Sequence, residues 1–181
     1  GGDPETARTL LLDAARVAAS RGDIRTELRA RVRLAQALRA GSPSAEDLRA
    51  ARLTAEQVLT TARAQGLRTS TCRALHVLAQ LDLAAGDLEA TQAGLEEAVE
   101  LVRAGAAPVD GVRSIHMLGV RLRDAGQHDD ARALLHEAAR MVKGRLDELR
   151  DTDLRSGYLE QPEVQQIMTD GGLDAPDGNP R

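Results

Sequence analysis

Apolar residues in this chain recur at intervals of three and four, the spacing that lines one face of an α-helix, and glycine-centred breaks interrupt them at regular distances. Asp3-Pro4 predicts a capped start, with the proline at a first helical position where its missing N–H is harmless. A helix over 6–21 follows, with Leu10, Leu11, Ala14, Val17 and Ala18 as its stripe. Gly22-Asp23 stops it and caps a second helix over 24–40, which Gly41 closes. Ser44, with Asp47 three residues on, has the pattern of a capping box and opens a third helix over 45–65. Its stripe is Leu48, Ala51, Ala55, Val58, Leu59 and Ala62. Gly66 ends that helix, and a fourth runs over 69–85 to a second stop-and-cap at Gly86-Asp87. A fifth covers 88–103, small residues break the chain over 105–108, a sixth covers 109–125, Gly126 turns it, and a seventh covers 128–149. Such short connections imply that consecutive helices are antiparallel neighbours.

The helices are near-copies of one another. A shift of 40 lays Leu75-His76-Val77-Leu78-Ala79 on Ile115-His116-Met117-Leu118-Gly119, and Glu97-Ala98 on Glu137-Ala138. A shift of 44 lays Leu28-Arg29-Ala30 on Cys72-Arg73-Ala74, and Leu34-Ala35-Gln36 on Leu78-Ala79-Gln80. The second to seventh helices are therefore three helix-turn-helix units (24–66, 68–104 and 109–149), and 4–22 is the back half of a preceding one. Ala35, Ala79 and Gly119 form one small-residue column, and Ala98 and Ala138 another, where helices are expected to approach closely. One helix pair cannot bury both of its apolar faces, so the pairs must stack.

Composition agrees. Ala and Leu supply 57 of the 181 residues, and Tyr158 is the sole aromatic, so strand formers are too scarce for a sheet and an all-α class follows. With 24 cationic against 28 acidic residues the formal charge is −4, which gives no global basic field for nucleic acid. All the cations but Lys143 are arginine, a skew expected of a GC-rich genome. The single Cys72 rules out an internal disulfide and any multi-cysteine metal site, as in a reducing cytoplasm. No apolar run is long enough to span a bilayer. A start at Gly1-Gly2 and an opening half unit lead us to expect a piece of a larger protein.

The spacing of Leu118-Gly119, Leu122, Gly126, Ala131, Leu135 and Ala138 resembles the tetratricopeptide repeat family in its longer variant, of about 40 residues per unit. The resemblance covers about 6–149. It departs at the missing aromatics, at Lys143, at Asp82 (where Leu122 predicts an apolar residue) and at Arg31, where Leu75 and Ile115 sit in the other copies. What it implies is a right-handed α-solenoid of antiparallel helix pairs. A second resemblance covers 150–169. Leu154, Tyr158, Leu159, Pro162, Val164 and Ile167 look like the amphipathic segment that closes tetratricopeptide arrays at the C-terminus of large bacterial signalling proteins. That segment is expected to be a capping helix, with Tyr158 and Ile167 over the last pair and Glu160, Gln161 and Gln165 in water. Residues 170–181 read as a disordered tail.

Searches for catalytic motifs return nothing: no phosphate-binding glycine loop, no zinc-protease helix and no nucleophile elbow. The chain is expected to be non-enzymatic and to need no cofactor and no metal. Glu96-Glu97 and Asp129-Asp130 are adjacent pairs on different azimuths, and Cys72 falls in an apolar column with Leu28 and Val112. One constellation is informative. Arg29, Arg73 and Arg113 share a column of the first helices, His76 and His116 coincide one turn on, and Gln36 and Gln80 coincide after them. The resemblance places these columns on a concave groove whose floor would include Arg29, Gln36, Arg39, Arg73, His76, Gln80, Arg113, His116 and Arg123. Guanidinium groups on helices about 10 Å apart can fork onto carboxylates. Against this stands plain salt bridging to acids on adjacent helices.

The function expected is that of a cytoplasmic interaction or sensor module that takes a protein or peptide, acidic in character, into the groove, as part of a larger signalling protein. Alternatives are an autoinhibitory region acting on its own effector domain, self-association through the first helix, and a small-ligand bundle. Neither direct nucleic-acid binding nor membrane association is expected.

Overall fold

The computed structural model describes residues 3–106 and 108–173. Among these residues all regular structure is helical: α1 (Pro4–Ser20), α2 (Ile24–Arg39), α3 (Ala45–Ala64), α4 (Arg68–Ala85), α5 (Leu88–Arg103), α6 (Pro108–Asp124), α7 (His128–Glu148), α8 (Thr152–Leu159) and α9 (Pro162–Asp170). The chain forms two compact units, 1–111 and 112–181, with the boundary inside α6.

The sequence signals act where the spacing put them. The Asp3 carboxylate accepts from the Glu5 and Thr6 amides, Asp23 from Thr26 and Asp87 from Ala90, each satisfying a first-turn N–H that the helix cannot. Ser44 and Asp47 complete a reciprocal capping box. Gly86 ends α4 at φ 79°, a left-handed conformation that a Cβ would disfavour.

In the first unit each of the helices α1 to α5 packs on the next, and α2 also packs on α4. The core joins Leu28, Val32 and Ala35 of α2 to Ala51, Ala55, Val58 and Ala62 of α3, and to Ala74, Val77 and Leu81 of α4. Small residues carry the contacts: Ala35, Ala79 and Ala98 have no exposed surface. Cys72 is as fully buried, its sulfur 3.7 Å from the Ala98 carbonyl oxygen. Ion pairs lace neighbouring helices at Arg8–Asp47 (3.0 Å), Arg52–Asp82 (2.6 Å) and Arg63–Glu97 (2.5 Å). Two departures from the repeat pattern thereby acquire a reason. Asp82, polar where Leu122 is apolar, meets Arg52, and Arg31 pairs with Glu27 one turn back at 2.8 Å.

The second unit packs α6 on α7 through Gly119, where an added Cβ would lie 2.9 Å from Leu135 side-chain carbons and 3.2 Å from the Leu135 nitrogen. Short α9 lies on α7 and buries Val164, Ile167 and Met168. The C-terminal segment differs from expectation in three ways. It is two helices, because Pro162, with no N–H and a fixed φ, starts a new one after Gln161. α8 buries none of its residues and leaves Leu154 63% exposed, so Leu154 does not help to cap the fold. Asp170, assigned above to the tail, is the last residue of α9, and 174–181 lie outside the described residues. Tyr158 is half-buried, Ile167 is buried, and Glu160, Gln161 and Gln165 are exposed.

The closeness of these contacts sets a measurable tolerance. Ala98→Arg should destabilise the chain by more than about 3 kcal/mol, through overpacking and an unpaired buried charge, whereas Ala98→Ser should cost about 1 kcal/mol. Urea midpoints at constant m-value check this, and equal midpoints for the two variants would show that the column tolerates volume.

Candidate functional site

The residues singled out by the repeat columns divide between the units. Arg29, Gln36 and Arg39 stand on α2, and Arg73, His76 and Gln80 on α4; Arg113, His116 and Arg123 stand on α6 in the second unit.

In the first unit Arg29 is exposed and Arg73 half-buried, and both line a cleft of about 380 Å3 formed by the first turns of α2 and α4 and the 104–106 turn. Arg25 and Arg68 line it too. The column comparison missed them because each has a non-basic counterpart in the neighbouring copy, Thr69 for Arg25 and Ile24 for Arg68. Basic residues gathered at the starts of successive first helices were the signal that would have found them. The other first-unit residues are less available. His76 is 6% exposed, so it belongs to the packed interior and not to the surface of a groove. Gln36 and Gln80 are half-buried, and Gln36 accepts from Arg33 at 3.5 Å. Arg39 is half-buried, and burial draws its pKa below the usual arginine range. Its Nε is buried without a hydrogen-bond partner among the described residues.

In the second unit the α6 column is engaged by α9. Arg113 pairs with Glu163 at 2.7 Å. Asp170 receives Arg123 Nη1 on one carboxylate oxygen at 3.1 Å and lies 2.8 Å from His116 Nε2 on the other. One face of α9 thus presents Glu163 and Asp170 to α6, while Val164, Ile167 and Met168 are buried. Gly171 makes the seating possible: a Cβ there would strike Ala139 Cβ and sit 2.7 Å from the Leu135 carbonyl oxygen. Burial pushes the Asp170 carboxyl up and is the largest single influence on it. Hydrogen bonds from Gln166, His116 and Arg123, with the attraction of His116, together outweigh burial and hold the group below its ordinary value.

Among the described residues no group of three or more His, Cys, Asp or Glu side chains converges as a metal site would require, and no helix is long and apolar enough to cross a membrane. The arrangement offers anion recognition: guanidinium groups open to solvent in the first unit, and guanidinium and imidazole groups holding carboxylates in the second.

Asp170 gives a pH test. Its folded pKa lies below the unfolded value of about 3.9, so its stabilising contribution is present above that pH and lost as pH falls through the folded value. Asp170→Asn should cost about 1 to 2 kcal/mol at pH 7 and speed amide exchange over 162–170. The difference from the parent chain should vanish in the most acidic buffers. A penalty that persists unchanged at pH 2 would show that the carboxylate charge is not what seats α9.

No protein-family model matches the chain, and no curated protein matches it. Among solved structures it is similar to a crystal structure of MamA protein, at 15% identity and a TM-score of 0.38, over 92% of this chain and 84% of that one. The helical packing described above stands on the chain's own contacts.

Proposed function

We propose that the chain is a tetratricopeptide-type interaction module that takes an acidic segment of a protein partner onto the arginine face of its first helices, within a larger signalling or regulatory protein. The observation that carries this reading is the engagement of the α6 column. Arg113, His116 and Arg123 hold two carboxylates that stand two turns apart on one helix, which is the chemistry an acidic partner helix would present. By column, Arg29 and Arg73 are the first-unit counterparts of Arg113, and they line an open cleft. α9 is then a partner segment carried in cis. In this reading the module is non-catalytic, and its ligand is recognised by charge and shape.

A synthetic acidic peptide tests this by fluorescence anisotropy. Binding should weaken as salt rises, and the combined Arg29→Ala, Arg73→Ala and Arg113→Ala variant should lose about tenfold in affinity. Equal affinity for the parent and the triple variant removes the arginine face from recognition.

A second reading is favoured by α1. Leu10 is 63% and Val17 44% exposed, and Ala14 between them is exposed, although all three belong to the apolar stripe. Such a face is suited to a second copy of the chain. Light scattering across a concentration series should show a dimer that Leu10→Glu with Val17→Glu abolishes, and a monomer at every concentration would remove this reading.

A further inference from the structure

Docked α9 is a short helix at the end of a loosely held arm. It has nine residues, below the length at which a helix persists in water without packing, so its helicity depends on the surface it covers. The α8 segment that joins it to α7 buries none of its residues. Leu154 stands 63% exposed there, and Arg155 donates to the Leu146 carbonyl oxygen at a long 3.5 Å. A segment held by three apolar side chains and by ion pairs at the surface, on an arm of this kind, opens ahead of the rest of the fold.

What α9 covers is a shaped surface. Val164, Ile167 and Met168 are buried against it. Glu163, at the start of α9, meets Arg113 at 2.7 Å, and Asp170, at its end, meets His116 and Arg123, so two acids bracket the apolar cluster. Gly171 then passes so close to Ala139 and the Leu135 carbonyl oxygen that a side chain would not fit. Read along the chain, the pattern is an acid, apolar residues at +1, +4 and +5, a second acid at +7 and glycine at +8.

We propose that this surface of α6 and α7 is the docking site for a helix of a partner protein that carries the same pattern, and that α9 is the built-in competitor the partner displaces. The site rests on the acid-binding reading of the arginine face and adds to it the partner's motif and its gate. Charge complementarity selects an acidic helix over a basic one, and the glycine seat selects among acidic helices. Because α9 is tethered, a partner meets an open surface only in the fraction of molecules where α9 has lifted, and its apparent affinity is reduced by that fraction.

Fluorescence anisotropy with the full chain and a labelled peptide of the sequence 161–173 tests this. Ile167→Glu in the chain unseats α9 and should raise peptide affinity about tenfold over the parent, with helix content checked by circular dichroism. Asp170→Asn in the chain is the milder change and should raise it about threefold, so the gate is still read if Ile167→Glu does not fold. With either opened chain, a peptide carrying Glu163→Gln and Asp170→Asn should bind about tenfold more weakly, and one carrying Gly171→Val should do the same. Equal affinity of the parent and opened chains would overturn the gate. Failure of the 161–173 peptide to bind an opened chain, or indifference to the altered peptides, would overturn the motif. The arginine-face reading survives either result if the acidic peptide still loses affinity for the triple arginine variant. A dimer of the parent chain that Ile167→Glu abolishes would assign the surface to α9 of a second copy and overturn the partner assignment.

Discussion

Close approach between helices is the constraint on which the rest of this structure depends. Ala35, Ala79, Ala98 and Ala138 have no exposed surface, and Gly119 lies so near Leu135 that a Cβ would crowd it. An alanine brings little transfer free energy of its own. What small residues supply is proximity, so that Leu28, Leu95, Ile115 and Val142 can be buried completely between neighbours. With one aromatic residue in the chain, no large ring is available to bridge a wider gap, and the helices have to come close.

The same economy shapes the charges. Arginines stand at the borders of the packed helices, where aliphatic stems cover apolar surface and heads reach across to acids such as Asp47, Asp82 and Glu97. Each exposed pair contributes little to stability; together they help to fix which helix faces which. Against that background the first turns of α2 and α4 differ. Arg25, Arg29 and Arg68 line a cleft together with Arg73, and none of the described lining residues is acidic.

The second unit resolves its charge internally. α9 covers α7 with Val164, Ile167 and Met168 and answers Arg113, His116 and Arg123 with Glu163 and Asp170. Apolar burial supplies the affinity, and the ion pairs set which face of the helix turns inward. Asp170 could not have been assigned this role from its neighbours in sequence. It precedes Gly171-Gly172 and looks like the start of a tail; its partners lie 54 and 47 residues away. Glu163 is equally silent, since an acid in a first turn is explained by the helix dipole alone. Leu154 errs in the other direction: its spacing suits a cap, but α8 packs on too little to bury it.

Local chemistry was legible in the sequence by itself. The helix stops at Gly22, Gly66, Gly86 and Gly126, the caps at Asp3, Asp23, Ser44 and Asp87, and the small-residue columns all rest on interactions within a few residues or on exact repetition, which a linear string displays. Only the tertiary structure decided which polar side chains meet. His76 and His116 share a column, yet the first is 6% exposed within the first unit and the second meets the Asp170 carboxylate at the end of α9. Arg25 and Arg68 share no column, yet the turn between α3 and α4 brings them into one cleft. Repetition carries the backbone and the core from copy to copy, but a charge's partner comes from whatever the chain folds over it.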